Sequence, residues 1–316
     1  MIREQTNQKT IWAVGGGKGG TGKSFLAASL AIELGSRWGD VVIIDADLGG
    51  PNLHTILAVK HGGRDLGGFF RNDFPRLEDV LLATPHAGLK LIKGSESSLF
   101  AANLNHFKKL KLIRQIKNLP AQRVIIDLGT GSAYNTLDLF VLGQPGILII
   151  TPEPTAVENG YYFLRSCAVR ILKLYGQFYK IPHLADRLTG DLENGSLSLR
   201  GCLERLASLD AGHGPMLLAA LRNFRPGLVV NKVRNEKDFL LGASIVDVVR
   251  KYFFIELDLL ATIPYDERVH WSLKKFVPFI REYPDSPVSQ AIKKMAERLA
   301  PAGLNEVERS PALSVV

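Results

Sequence analysis

A glycine-rich loop near the start of the chain limits the fold more than any other sequence feature. Residues 17–24 read G-K-G-G-T-G-K-S, which fits the pattern G-x-x-x-x-G-K-[ST]. The apolar run Ile11–Val14 precedes the loop, and a helical pattern starts at Lys23. Glycines let backbone N–H groups converge on phosphate oxygens without interference from a Cβ atom. The sequence therefore predicts a phosphate-binding loop between a strand and a helix.

The loop predicts specific contacts to a nucleoside triphosphate. Lys23 is expected to reach the β- and γ-phosphates, and the Ser24 hydroxyl to ligate Mg²⁺. The helix that begins here directs its positive end at the phosphates. A glycine-rich turn that fits the pattern by chance is the alternative, which the strand–loop–helix setting disfavours. The expected nucleotide-binding residues of the loop are Gly17, Gly19, Gly20, Thr21, Gly22, Lys23 and Ser24.

Acidic residues end two further apolar runs. Asp45 and Asp47 follow the run 41–44, and Asp127 ends the run 123–127. Ligands collect at the carboxyl ends of strands in parallel sheets, and Mg²⁺ prefers oxygen donors. We therefore expect Asp45 and Asp127 to join Ser24 in a magnesium site. Any one of these acids alone would be explained equally well as a loop or helix-cap residue.

The order of the predicted elements indicates the fold class. Further strand-like runs cover residues 146–151, 228–231 and 259–263, and helical patterns separate them. Continuous β-branched runs between helices favour a mostly parallel sheet covered on both faces. The predicted fold is α/β, a doubly wound P-loop NTPase sheet.

Two helices and an insertion complete the expected organisation. One helix should bury Phe107, Leu110, Ile113 and Ile116 and leave Lys108, Lys109, Lys111 and Arg114 on its other faces. The last helix, from about residue 288, should dock through Ile292, Met295, Ala296 and Leu299. Residues 183–226 contain no good strand, and two short helical patterns there, at 199–206 and 216–221, predict a helical insertion. We predict one domain over 1–300 and a mobile tail over 301–316.

Composition narrows the class of protein. The 316 residues carry 39 Lys and Arg against 31 Asp and Glu, so the net charge is 39 − 31 = +8. This excess fits binding to nucleic acid or an anionic membrane, and equally a soluble protein that binds a polyanionic nucleotide. No apolar run approaches a membrane span, and the first ten residues lack the apolar stretch of a secretory signal. Two cysteines, 35 residues apart, have no metal or redox spacing, which favours a cytoplasmic protein.

Lys18 gives the loop its distinctive form, because it is an extra lysine ahead of the usual one. With it, the loop resembles the deviant Walker A motif of the MinD/ParA ATPases. Residues 41–53 are similar to switch I of that family, and residues 127–131 to its Walker B and switch II segments. Residues 151–157, T-P-E-P-T-A-V, are closest in wording to the FlhG/FleN flagellar-number branch. The resemblance covers about residues 1–180 and 226–300.

The resemblance implies a mechanism. ATP would join two subunits into a homodimer with both nucleotides between them, and Lys18 would reach the phosphates bound by the partner. A second cation there would neutralise charge that develops during phosphoryl transfer. Asp47 would orient the attacking water. Hydrolysis would be slow and accelerated by a protein partner.

The expected base is adenine. Residues 231–234, N-K-V-R, begin like the guanine-reading motif N-K-x-D but place Arg234 where the acid belongs. An arginine cannot accept the hydrogen bonds that guanine donates. By analogy with the family, Asn231 would meet the adenine edge and Pro264 would lie near the ring. Pro264 could equally be a simple strand terminator.

The sequence leaves three function classes open. The first is a spatial regulator that positions flagella, division sites or DNA. The second is an iron–sulfur carrier or electron-donating ATPase of the same fold, although the cysteine spacing does not favour it. The third is a small-molecule ligase or kinase, for which no substrate pocket can be read.

The surface on which such a switch acts is also open. Nonspecific DNA is a candidate, with Lys108–Lys117 and the pair Lys274–Lys275 as basic segments, though solvated helix faces explain them equally well. The acidic, proline-broken segment 304–311 argues against autonomous membrane binding.

Overall fold

A computed structural model describes residues 9–47, 49–59, 63–95, 106–193, 201–202, 204–205, 212–253 and 255–300. The chain divides into two compact units. The first comprises Met1–Val14, Gly22–Gly129 and Asp266–Asn305, and the second comprises Gly15–Thr21, Thr130–Tyr265 and Glu306–Val316. The single domain over 1–300 stays a prediction. The expected mobile tail and the N-terminal residues 1–8 lie outside the described residues.

The first unit is built on parallel strands with one antiparallel edge. Its strands lie in the order β3-β4-β2-β5-β1, and only β3 and β4 pair antiparallel. Their bounds are β1 Thr10–Gly15, β2 Val41–Ala46, β3 Leu81–Ala83, β4 Leu89–Ile92 and β5 Arg123–Leu128. The apolar side chains of β2 and β5 are buried on both faces, as their unbroken β-branched runs predict.

The helices of the first unit cover these strands. They are α1 Lys23–Trp38, α2 Leu53–Ile56, α3 Leu66–Arg71, α4 His106–Asn118, α10 Arg268–Lys274, α11 Phe279–Glu282 and α12 Pro287–Leu299. The helix α1 packs on β2, β4 and β5, and α12 packs on α1. The Ser286 hydroxyl caps α12 by accepting from the Ser289 N–H at 3.1 Å. The predicted apolar face of α12 is buried, so its docking is confirmed.

The second unit has three strands and a different set of helices. Its strands pair in parallel in the order β6-β7-β8, with bounds β6 Gly146–Ile150, β7 Gly227–Val233 and β8 Asp258–Pro264. The helices are α5 Tyr134–Leu142, α6 Pro154–Phe178, α7 Pro182–Glu193, α8 Gly214–Arg222 and α9 Glu236–Phe253. Helices α5 and α6 pack on β6, and α9 packs on β7 and β8.

Two details differ from the sequence-based expectations. In α4, Phe107 is 81% exposed, whereas Lys109 is 5% exposed and lies in the buried stripe with Leu112, Ile113 and Ile116. The predicted residues recur every three positions rather than every 3.6, so their stripe drifts around the helix and Phe107 lies about 180° from Ile116. The edge strand β3 and its neighbour β4 were not predicted, because three- and four-residue strands give almost no periodic signal.

The predicted insertion is partly described. The helix α8 covers the second predicted pattern, and α7 is an additional helix that was not predicted. Both pack on α6. Residues 199, 203 and 206 of the first pattern lie outside the described residues.

Candidate functional site

The N-terminal part of the phosphate loop lies against helix α6. A Cβ atom at Gly17 would come within 2.4 Å of the backbone oxygen of Asn159, so this position needs glycine. By contrast, a Cβ atom at Gly19 would meet only the Thr130 methyl at 3.6 Å, an ordinary contact. Gly20 has a φ of +76°, in the left-handed region that glycine adopts at low cost.

The end of β7 holds the loop through two side chains. Asn231 Nδ2 donates to the Thr21 carbonyl oxygen at 2.8 Å, and Lys232 Nζ donates to the Gly20 carbonyl oxygen at 2.8 Å. Lys232 has a φ of +61°, an uncommon conformation for a residue with a side chain. The predicted adenine ligand Asn231 is therefore buried beside the loop, with its amide nitrogen bonded to the loop backbone.

Lys18 turns toward the first turn of α6. Its Nζ donates to Thr155 Oγ1 at 2.7 Å, and the Thr155 carbonyl accepts from Asn159 Nδ2 at 2.6 Å. The Lys18 ammonium group thus has a neutral hydroxyl among its partners, and a phosphate would be a stronger acceptor than that hydroxyl.

The C-terminal part of the loop begins α1 in the first unit. Gly22 has a φ of +92°, and its carbonyl accepts from the Leu26 N–H at 3.0 Å, which starts the helix. Lys23 is buried, and this burial lowers the pKa of its ammonium group, while Asp127 and Asp47 oppose the shift. The two carboxylates favour the charged ammonium form, which is the form that binds phosphate.

Asp45 and Asp127 stand side by side where β2 and β5 end. They are partners in the parallel register of these strands, and both are buried. Burial, together with the neighbouring charge of Asp45, raises the pKa of Asp127 to about 8, although the Ser24 hydroxyl donates to its carboxylate. Burial likewise raises the pKa of Asp45 to about 6. Two buried carboxylates side by side are costly unless a cation neutralises them.

Magnesium fits this arrangement. Within the part of the chain that the structure describes, Asp127 Oδ1 is buried without a hydrogen-bond partner. A buried orphan oxygen beside a second carboxylate and a serine hydroxyl matches the oxygen donors that Mg²⁺ prefers. Ser24, Asp45 and Asp127 are therefore the residues that could hold it.

Asp47 is held by backbone groups just beyond β2. Its Oδ1 accepts from the N–H groups of Gly49 and Gly50 at 3.1 and 3.2 Å, and its own N–H donates to Asp45 Oδ1 at 3.2 Å. A Cβ atom at Gly129 would lie 2.9 Å from Asp47 Oδ1. Gly129 therefore leaves room for the Asp47 carboxylate. Leu48, also in the predicted switch segment, lies outside the described residues.

The region expected to meet the base lies where β7 and β8 end. Pro264 is the last residue of β8, and the next residue, Tyr265, donates its N–H to the Val233 carbonyl at 2.8 Å. The Arg234 guanidinium stacks on the Tyr265 ring at 3.9 Å from its centroid. The side chain that replaces the guanine-reading acid is thus engaged in a cation–π contact.

Sequence reasoning assigned no role to several residues that shape the site. Thr155 and Gly129 lay within recognised segments, and Lys232 lay beside the predicted base ligand. Asn159 carried no signal, because only the fold brings an asparagine in the second turn of α6 against the loop. These are contacts between elements distant in the chain, which spacing alone does not reveal.

The cysteines are buried side chains. Cys167 and Cys202 are both buried thiols, and burial raises the pKa of Cys167 well above its usual value. Among the described residues, no group of three or more His, Cys, Asp or Glu side chains is arranged to hold a metal ion. Over the same residues, no helix has both the length and the apolar content needed to cross a bilayer.

Comparison with known proteins identifies what this arrangement resembles. The family model for the CobQ/CobB/MinD/ParA nucleotide binding domain matches residues 12–279. The antiactivator FleN of Pseudomonas aeruginosa is 23% identical over 291 residues, which cover 92% of this chain and 85% of that protein. An iron–sulfur cluster carrier protein of Pseudomonas fragi is 45% identical over 179 residues, covering 52% of this chain and 59% of that protein.

A solved structure supports the fold. The septum site-determining protein MinD of Pyrococcus horikoshii, in complex with Mg-ADP, superposes with a TM-score of 0.65 and 20% identity. The superposition covers 95% of this chain and all of that one. The predicted fold, a mostly parallel α/β P-loop fold, is therefore confirmed.

Proposed function

The chain belongs to the CobQ/CobB/MinD/ParA family of nucleotide-binding domains, and from this premise we propose that it is a Mg-ATP-hydrolysing switch. In this proposal ATP binding joins two copies, and hydrolysis separates them. The observation that carries the proposal is that Lys23 and Ser24 interact with Asp127, which lies beside a second buried strand-end carboxylate, Asp45. Neither a structural turn nor a simple helix cap needs Asp45 and Asp127 side by side with raised pKa values.

The roles of the site residues follow from their positions. The loop backbone from Gly17 to Gly22 would bind phosphate oxygens, and Lys23 would neutralise the β- and γ-phosphates. Ser24, Asp45 and Asp127 would hold magnesium, which when bound offsets charge on the transferring phosphoryl group. Asp47, fixed by two backbone N–H groups, would orient the attacking water.

Lys18 is proposed to act across the dimer. Its contact with Thr155 keeps the ammonium group at one defined place in the single chain. The phosphates bound by the second copy would offer a stronger, charged acceptor. If Lys18 left Thr155 and bound these phosphates, association of the two copies would depend on the presence of the γ-phosphate.

We propose adenine as the base. Arg234 cannot accept from guanine, and its stacking on Tyr265 supports an arrangement without an acid at this position. Pro264 and Asn231 are proposed to border the base, although Asn231 already uses its amide nitrogen to hold Thr21.

For the cellular role, we propose a cytoplasmic regulator of the position or number of a structure such as a flagellum, a division site or DNA. The similarity to FleN along 92% of the chain supports this choice. A protein partner that accelerates slow hydrolysis is part of the proposal, and nonspecific DNA is a further candidate surface.

Light scattering with ATP, ADP and GTP tests the switch. We expect a dimer with Mg-ATP only, and Asp47→Ala should remain dimeric because hydrolysis fails. Lys18→Ala should bind ATP but associate or hydrolyse poorly. Lys90→Ala, which removes an exposed lysine from β4, serves as the matched control. Normal association and hydrolysis by Lys18→Ala would refute the dimer switch.

An iron–sulfur carrier is the second candidate, because the Pseudomonas fragi protein with that name is 45% identical over about half of this chain. The buried thiol of Cys167, with its raised pKa, is poorly suited to bind a cluster, since the thiolate is the ligand. Anaerobic incubation with iron and sulfide decides the question. A stoichiometric cluster that is lost in Cys167→Ser or Cys202→Ser would favour the carrier over the spatial regulator.

A further inference from the structure

The turn that ends α10 exposes an unusual group of side chains. Trp271 is 48% exposed and Phe276 is 59% exposed, and Leu273 and Val277 between and beside them are also exposed. Single exposed apolar residues are ordinary, but four large ones within seven positions form a patch. We name Trp271, Leu273, Lys274, Lys275, Phe276 and Val277 the α10 tip.

Backbone hydrogen bonds make the α10 tip a defined structure. The Val277 N–H donates to the Ser272 carbonyl at 3.1 Å, and the Phe276 N–H donates to the Leu273 carbonyl at 3.2 Å. This pair of bonds is a Schellman motif, in which the position after the cap adopts the left-handed conformation. The aromatic residues therefore belong to an ordered helix end.

The residue at the left-handed position is the informative one. Glycine usually occupies it, but here Phe276 has a φ of +56°. A bulky residue at positive φ is strained, and because Phe276 is more exposed than buried, packing offsets little of this strain. A strained backbone at an exposed aromatic residue indicates that the side chain contacts another molecule.

Cationic groups interleave with the apolar ones. Lys274 Nζ lies 4.9 Å from the centroid of the Trp271 ring, and Lys275 Nζ pairs with Glu282 at 3.1 Å. Near the start of α10, Arg268 pairs with Asp266 at 2.7 Å, and Glu267 and His270 are exposed. The tip itself contains two lysines and no acid.

This chemistry separates three classes of partner. Nucleic acid is bound by cations and by aromatic stacking, and Leu273 and Val277 would contribute nothing to it. Protein interfaces are depleted in lysine. Tryptophan and phenylalanine beside lysines are typical of segments that enter the interface of an anionic membrane.

We propose that the α10 tip is a peripheral docking site for an anionic lipid surface. Phe276, Trp271 and Leu273 enter the boundary between headgroups and acyl chains, and Lys274 contacts the lipid phosphates. The site involves neither the nucleotide residues nor the segment 304–311, so it stands independently of the proposed ATP switch.

Flotation of the full, nucleotide-free chain with vesicles tests this site. The vesicles contain phosphatidylcholine alone or equal parts of phosphatidylcholine and phosphatidylglycerol. We expect partition into the anionic vesicles, weakened by added salt. Phe276→Gly should lower the partition into anionic vesicles on the order of tenfold, and Lys274→Gln should lower it about fivefold.

The choice of variants keeps folding separate from docking. Phe276→Gly places the preferred residue at the left-handed position, so its urea midpoint should be unchanged or raised. Phe107→Ser removes an even more exposed phenylalanine from α4 and should leave partition unchanged. In a Trp38→Phe background, Trp271 is the one exposed tryptophan that is left, because Trp12 is buried. Its fluorescence should shift to shorter wavelength on the vesicles, because the indole ring moves from water into an apolar environment.

Several results would overturn the proposal. One is equal partition into both vesicle types, and another is a Phe276→Gly variant that floats like the wild type. Binding of duplex DNA or of a protein that depends on Phe276 and Lys274, without vesicle binding, would assign the α10 tip to that partner class instead.

Discussion

At the scale of single residues, Asp45 and Asp127 concentrate the electrostatic cost of the nucleotide-free chain. Each is buried, each lies next to the other in register, and burial is the main cause of both raised pKa values. Lys23 and the Ser24 hydroxyl offset only part of this cost for Asp127. The two carboxylates are therefore placed where a cation can bind, and they lower the free energy of unfolding of the protein when no cation is bound.

The pH dependence of unfolding reports this cost. Asp127 has a pKa of about 8 when folded and about 4 when unfolded, so between these values the unfolded chain binds fewer protons. Stability without nucleotide should therefore fall as pH rises from about 4 to about 8. Asp127→Asn should reduce this fall, which urea unfolding at pH 5 and pH 8 measures. The variant Asp258→Asn, at an exposed site, should show the same dependence of stability on pH as the wild type. The prediction is contradicted if stability falls equally from pH 5 to pH 8 in the wild type and both variants.

Gly129 permits the position of Asp47. A methyl group there would lie 2.9 Å from Asp47 Oδ1, so Gly129→Ala should displace the carboxylate. We expect hydrolysis to fall by on the order of 10²-fold while ATP affinity changes little, because only water orientation is disturbed. Single-turnover assays and equilibrium titration separate the two effects. Gly50→Ala adds the same methyl group in open space and should hydrolyse normally.

At the scale of elements, sequence patterns predicted most of the strands and the loop. Apolar runs that end in glycines or acids located β1, β2 and β5, and further apolar runs between helical patterns located β6, β7 and β8. The site acids followed from the rule for parallel sheets. The strands β3 and β4 were not predicted because their apolar runs are too short. In α4, the sequence pattern did not predict that Lys109 would lie in the buried stripe. Contacts such as Lys18 with Thr155 join residues 137 positions apart, and only tertiary structure reveals them.

The packing of the loop on α6 gives a prediction at this scale. A Cβ atom at Gly17 would clash with the Asn159 backbone, which cannot move without shifting the helix. Gly17→Ala should therefore destabilise the nucleotide-free chain by about 1–3 kcal/mol. Gly19→Ala, in the same loop but with room for a methyl group, should be near neutral. Urea unfolding compares them, and equal losses would show that the contact is not the cause.

At the scale of the whole molecule, nucleotide binding and folding are linked by mass action. A ligand that binds only the folded chain stabilises it by about 2.7 kcal/mol at a hundred times its dissociation constant. For this chain, the stabilisation should consist of a phosphate part from the loop and Lys23 and a magnesium part from Asp45 and Asp127. The two parts can be separated by chelating the metal.

Thermal unfolding in Mg-ATP and in ATP with EDTA makes this separation. The Asp47→Ala background prevents turnover during the scan. Mg-ATP should stabilise the parent chain more than ATP alone, because the metal neutralises two buried carboxylates. Adding Asp127→Asn should abolish the magnesium increment and keep the ATP increment, while Lys23→Ala should reduce both. An undiminished magnesium increment in Asp127→Asn would mean that the metal is held by other oxygens, and the pairing of β2 with β5 would then be structural only.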